Sequence, residues 1–180
     1  MTKVINLLGG PGIGKTTTAL SITVILKYKK YSVEYIPEVA KELVWKNDHR
    51  IKNQEYLFKK TVEILSSIYG KVDYIVTDGS FLIGLYYNKY FNKYDRYLEN
   101  KIIQESKKYT NVNIFLQRSS NIVYENIGRL QNEKESIEID NKLIELFNIF
   151  NIPYNIATID YLDINLYNSY AYNIVKNFIL

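Results

Sequence analysis

Apolar and polar positions alternate between two rhythms along the chain. Short, dense apolar runs occupy residues 3–8 (KVINLL), 31–36 (YSVEYI, closed by Pro37), 72–78 (VDYIVTD), 111–117 (NVNIFLQ) and 154–159 (YNIATI). Runs of this length with little polar alternation predict strands covered on both faces. Between them lie longer stretches with helical spacing. Residues 15–29 carry Leu20, Ile22, Val24 and Ile25 with no breaker, and residues 54–70 set Leu57, Phe58, Thr61, Ile64, Leu65 and Ile68 on one stripe. Gly70 then stands where a helix ends in a left-handed residue. Ile139, Leu143, Leu146, Phe147 and Phe150 make another stripe, and a last helix is expected over 163–178. Strands alternating with helices predict an α/β fold, a parallel sheet with helices on both faces. Right-handed crossovers then gather the C-terminal strand ends along one edge, where ligands bind.

The first strand runs into GGPGIGKTTT, in which Gly9, Gly14, Lys15 and Thr16 fill every fixed position of G-x-x-x-x-G-K-[ST]. The chemistry follows from the residue types. Gly9, Gly10, Gly12 and Gly14 let the backbone double back and aim N–H groups at phosphate oxygens. The helix that follows adds its positive end. Lys15 reaches the β- and γ-phosphates, and the Thr16 hydroxyl is a ligand for Mg²⁺. With Pro11, Ile13 and Thr17 completing the loop, residues 9–17 are the expected site for a nucleoside triphosphate, ATP by default. The pattern sits between a strand and a helix, the context that gives it weight.

Other strand ends meet the same edge. Asp78 ends the third strand, where a carboxylate can hold Mg²⁺ through its water shell or face an acceptor hydroxyl; as Asp before Gly-Ser it could instead cap the next segment. Glu38 follows the second strand, either as a base for an attacking hydroxyl or as an acidic residue at a helix start. Arg118 and Arg129 follow the fourth strand in a chain whose basic residues are nearly all lysine. Guanidinium groups suit a phosphoryl group in transit, and the polar segment 126–137 has the character of a lid. Arg118 is a further candidate contact to the nucleotide. His49, the single histidine, lies in a polar run and is expected at the surface.

Composition narrows the field further. At 180 residues, 47% of them hydrophobic, with three prolines and no repeat, the chain is expected to form one domain. The absence of cysteine removes disulfides and thiolate metal sites. No leader-like segment and no apolar run of spanning length is present, so the cytoplasm is the expected compartment and no membrane is involved. The net charge of +4 is mild, and the 18 tyrosines belong to a Lys-, Asn- and Ile-rich composition of the kind AT-rich genes encode, rather than to a stacking platform.

The chain resembles P-loop kinases, above all the AAA-type domain of ribosylnicotinamide kinases, common in phage proteins. GGPGIGKTTTA, IPEVAKELV, YIVTDGSFL, ENIGRL and LIELFNIFNIPYNIAT carry the likeness over nearly the whole length. The middle elements also resemble deoxynucleoside kinases, with a strand-2 glutamate as base and an arginine lid after strand 4. The resemblance implies strand order 2-3-1-4-5, Glu38 and Asp78 beside the acceptor, and Arg129 as the lid arginine. TDGS departs from the pattern in lacking an arginine after the strand-3 aspartate, and the lid has one arginine rather than a pair. The expected activity is Mg²⁺-dependent transfer of the γ-phosphoryl of ATP to a nucleoside- or nucleotide-like acceptor. Two alternatives stay open: a kinase of nucleic acid (a 5′-hydroxyl or a hydroxymethylated base), with Lys41, Lys46, Arg50, Lys52, Lys59 and Lys60 as its groove, and an NTP-hydrolysing regulator.

Overall fold

The computed structural model describes residues 1–90, 93–118, 124, 127, 130–159 and 170–180. Strand β1 (Lys3–Leu8) is the centre of a five-stranded sheet with β2 (Val33–Ile36), β3 (Tyr74–Thr77), β4 (Thr110–Gln117) and β5 (Asn155–Thr158). All pairings are parallel and the order is β2-β3-β1-β4-β5. The sheet order and the strands expected from the sequence are those observed, with ends shifted by up to two residues.

Successive side chains on a strand face opposite ways, and the two faces bury separate cores. Ile5 and Leu7 of β1, Val76 of β3 and Ile114 and Leu116 of β4 pack on Ala19, Ile22 and Leu26 of α1 (Lys15–Tyr28) and on the C-terminal residues Ile174, Val175 and Ile179. Val4, Leu8, Ile75 and Phe115 face the other layer. That layer comprises α3 (Gln54–Ile68, after α2, Val39–Trp45), α4 (Gly84–Tyr90), α5 (Arg96–Ser106) and α6 (Glu133–Ile149). Polar Asn6 is tolerated inside β1 because its amide donates to Asn111 at 3.0 Å and to Asn113 at 2.9 Å on β4. Buried amides without such partners would be costly.

Helix ends follow local chemistry. Asn53 caps α3, Asp95 caps α5, and Asn132 with Glu135 forms a reciprocal capping box on α6. Gly70 follows α3 at φ 87°, the left-handed turn expected there. Helices α2, α4 and α5 are additions to the sequence-based picture. Of the expected lid, residues 133–137 are instead the start of α6, because the Asn132 cap begins the helix there. Of the expected last helix, residues 170–174 are helical and Val175–Ile179 continue as a π-turn, while 163–169 lie outside the described residues.

Candidate functional site

Register fixes the site. Asn6 and Ile36 both align with Thr77 of β3. The loop leaving β1, Asp78 after β3 and Glu38 after β2 therefore emerge side by side at the C-terminal edge. The loop, Glu38 and Gly79 next to Asp78 border a cleft of about 810 Å³, within the range of small-ligand sites.

One side of the cleft is the glycine-rich loop. Gly9, Pro11, Gly12, Gly14, Lys15, Thr16 and Thr17 line it. Gly14 adopts φ 86° where α1 starts, so the loop wraps across the positive end of a 14-residue helix with no acidic residue in its first turn. Lys15 Nζ donates to the carbonyls of Gly9 at 2.8 Å and Gly10 at 2.9 Å. Two loop residues do not open on the cleft. The Ile13 side chain is fully buried in the core, and Gly10 is turned against α6.

Beneath the loop, Thr16 Oγ1 donates to Asp78 Oδ2 at 2.5 Å. Asp78 is 1% exposed, and its Oδ1 is buried with no hydrogen-bond partner among the described residues. A buried carboxylate oxygen left over beside a hydroxyl fits a divalent cation. Mg²⁺ keeps most of its waters and takes one or two protein ligands, so the lack of any cluster of three acidic or histidine groups among the described residues does not oppose it. Asp78 is not a cap, because Ser80 does that for the turn Phe81–Ile83, accepting from the Leu82 amide. The Tyr35 hydroxyl of β2 faces the same carboxylate. Burial first, then the charge of Asp78 and a hydrogen bond to its carboxylate, then the charge of Glu38, raise that phenol above its ordinary pKa.

Glu38 is the N-cap residue of α2, but its side chain makes no capping bond. It enters the cleft instead. Glu38 and Lys15 are both half-buried in the wall of the cleft. Burial raises the Glu38 carboxyl above its ordinary pKa of 4.5, with Asp78 adding to the rise and Lys15 and Lys41 opposing it. Burial likewise lowers Lys15, against the pull of Glu38, Asp140 and Asp78. A carboxylate moved upward toward neutrality is suited to proton transfer.

Gly79 explains the missing arginine of TDGS. A Cβ there would collide with Glu38 Cα and stand 2.8 Å from its Cβ. Only glycine lets β3 pass this close to the Glu38 backbone. Gly79→Ala is therefore expected to push Glu38 out of place and lower transfer about a hundredfold, the scale of an ångström-sized misplacement. Binding of ATP, measured by calorimetry, is expected to stay within a few-fold of the unmodified chain.

Beyond Glu38 the cleft is walled by Val44 and Trp45 of α2, Gln54, Leu57 and Phe58 of α3, Phe81, and Tyr87 of α4. Sequence reading missed this half because the residues come from three separate segments, two of them on unforeseen helices. Ile127, Leu130 and Gln131 line the opposite rim. Arg129 and its expected lid role lie outside the described residues. Arg118 does not line the cleft: Nε donates to Asp140 Oδ2 at 2.8 Å, and Nη2 to the Pro11 carbonyl at 2.8 Å and to Ser136 Oγ.

Comparison with known proteins agrees with this geometry. A family model described as an AAA domain matches residues 4–162. The chain belongs to that family. No curated protein sequence matches the chain significantly. Among solved structures, thymidylate kinase from Ehrlichia chaffeensis matches with TM-score 0.67 and 14% identity over 97% of each chain. Deoxyadenosine kinase from M. mycoides with bound dATP matches with TM-score 0.58 and 19% identity, covering 98% of this AAA-domain chain and all of the other. Shikimate kinase from Bacteroides thetaiotaomicron matches with TM-score 0.52 and 14% identity over 96% of each. At these identities the likeness is one of fold, an α/β P-loop NTPase fold with a five-stranded parallel sheet. Among the described residues no helix is long and apolar enough to cross a membrane.

Proposed function

We propose that this AAA-domain chain is a Mg²⁺-dependent phosphotransferase that moves the γ-phosphoryl group of ATP to a hydroxyl of a nucleoside-like acceptor. The observation that carries the reading is Glu38, a half-buried carboxylate that lines the cleft together with Lys15 and an aromatic wall. Lys15 and the loop amides hold the triphosphate, and Thr16 with Asp78 would hold Mg²⁺. That ion, when bound, neutralises charge on the β- and γ-oxygens. Glu38 takes the proton that the acceptor hydroxyl gives up as it attacks.

Hydroxyl is favoured over phosphate as the accepting group. A hydroxyl has a proton to lose, whereas a phosphate dianion would bring like charge against Glu38 and Asp78. The walls formed by Trp45, Phe58, Phe81 and Tyr87 suit a planar ring, and the Gln54 amide can both donate and accept along its edge. One structural neighbour, deoxyadenosine kinase, acts by name on a nucleoside, which supports this acceptor class.

A nucleic-acid acceptor is disfavoured by the state of its expected groove. Of the groove's six cations four are paired, Lys46 with Glu42, Arg50 with Asp48 at 2.5 Å, Lys59 with Glu55 at 2.9 Å and Lys60 with Glu63 at 2.8 Å, while Lys41 and Lys52 line the cleft itself. Cations answered locally leave little field for a phosphate backbone. An acceptor panel tests the proposal. The expected order of kcat/KM is nucleosides, then nucleoside monophosphates, then 5′-hydroxyl oligonucleotides. An oligonucleotide as best acceptor, with rates falling steeply between 50 and 200 mM salt, would overturn it.

A further inference from the structure

The glycine-rich loop is gripped from behind by α6, through residues that no phosphate-loop motif contains. Asp140 accepts the Gly10 amide on Oδ1 and Arg118 Nε, at 2.8 Å, on Oδ2. The Pro11 carbonyl accepts from Arg118 Nη2 at 2.8 Å and from Ser136 Oγ at 2.5 Å, and Arg118 Nη2 also meets Ser136 Oγ. Ser136 is fully buried, and a Cβ added to Gly10 would collide with its carbonyl oxygen and stand 2.6 Å from its Oγ. Loop and helix touch backbone to backbone.

One peptide plane gives this grip a consequence in the site. The N–H and C=O of a trans peptide point in opposite directions. In the peptide joining Gly9 to Gly10, the N–H is turned out to Asp140. The carbonyl of Gly9 therefore points inward, and it is this oxygen that Lys15 Nζ meets at 2.8 Å. The Gly10 carbonyl, the second acceptor for Lys15 at 2.9 Å, belongs to the peptide that continues into Pro11, which Arg118 and Ser136 hold.

We propose that Asp140, with Arg118 and Ser136, is a positioning group for Lys15, acting through the Gly9–Gly10 peptide plane to set the lysine and the loop for the triphosphate. The inference rests on the donor-site reading above. Asparagine at 140 keeps the shape but has one acceptor oxygen for two donors, so either Gly10 or Arg118 would face an NH₂ group. Arg118 is, on this account, committed to the loop rather than to the phosphoryl group.

The test measures ATP affinity with Mg²⁺ by calorimetry in the unmodified chain, Asp140→Asn, Lys15→Met and the double variant, with melting temperatures and acceptor KM alongside. Asp140→Asn is expected to weaken ATP binding roughly ten- to a hundredfold, the scale of losing a buried charge-assisted hydrogen bond, while leaving acceptor KM unchanged. In the Lys15→Met background the same change is expected to cost less than about threefold, because the group it acts through is gone. An equal penalty in both backgrounds, or a lower melting temperature with unchanged ATP affinity, would overturn the proposal. Ser136→Ala, a milder change, is expected to weaken ATP binding in the same direction, and unaltered affinity there counts equally against the proposal. Absence of ATP binding by the unmodified chain would instead remove the donor-site reading, and the proposal with it.

Discussion

Glu38→Gln is expected to bind ATP as the unmodified chain does and to transfer its phosphoryl group some 10²- to 10⁴-fold more slowly, the usual range for loss of a positioned base. Gln keeps the volume and a carbonyl oxygen but cannot take a proton. The residue sits outside the glycine-rich loop, at the N-terminus of α2, so donor affinity has no reason to fall. Single-turnover transfer together with calorimetric ATP binding checks both halves. Unchanged transfer would remove Glu38 as the base and leave Asp78 to be considered.

The pH dependence follows from the same side chain. Burial raises the Glu38 carboxyl above its ordinary value of 4.5 in the folded protein. The folded state therefore holds this proton more tightly than the unfolded chain does. Its stabilising effect is complete below the unfolded value and is lost as pH rises through the higher folded one. Glutamine does not titrate. Measured without nucleotide or metal, the melting temperature of Glu38→Gln minus that of the unmodified chain is expected to increase with pH across that window and then level off. The transfer rate of the unmodified chain is expected to climb over an inflection above 4.5, since the base must be ionised, and the variant is expected to lack this limb.

Lys15→Met is the second change of large effect. Lys15 contacts the Gly9 and Gly10 carbonyls and must instead meet the β- and γ-phosphates when a triphosphate arrives. Methionine fills the space without the charge. Transfer is expected to fall about a thousandfold, comparable to losing a principal electrostatic contact to the moving phosphoryl group. Here, unlike Glu38→Gln, ATP affinity is expected to fall as well. Retained affinity with retained transfer would contradict the donor site.

How much of this was legible depended on whether the signal was local. Strands β1, β3 and β4 are dense apolar runs and were readable because both their faces are buried; the edge strands β2 and β5 keep exposed positions and were readable from their short apolar runs alone. The donor loop was readable because all its chemistry lies in consecutive residues. Asp78 and Glu38 could be placed at strand ends, but not their surroundings. That Asp78 meets Thr16 depends on β3 lying beside β1, and that Gly79 must be glycine depends on β3 lying beside β2. Helices α2, α4 and α5 escaped notice because they are short and carry few buried apolar residues: Leu43 alone in α2, Leu85 and Tyr86 in α4, Leu98 and Ile102 in α5. The caps at Asp95 and Asn132 were signals available in the sequence. Asp140 was not, since an acidic residue in a mixed helix looks like any solvated one until α6 is placed against the loop.

The central claim is that the phosphoryl group goes to a bound acceptor and not to water. Its most direct test is the fate of the γ-label of ATP, supplied with Mg²⁺ and a saturating panel of nucleosides including ribosylnicotinamide. The account predicts that label accumulates on one acceptor hydroxyl well ahead of inorganic phosphate, and that Glu38→Gln abolishes this excess. Brisk release of labelled phosphate with none on any acceptor would contradict it and identify the chain as an NTP-hydrolysing regulator.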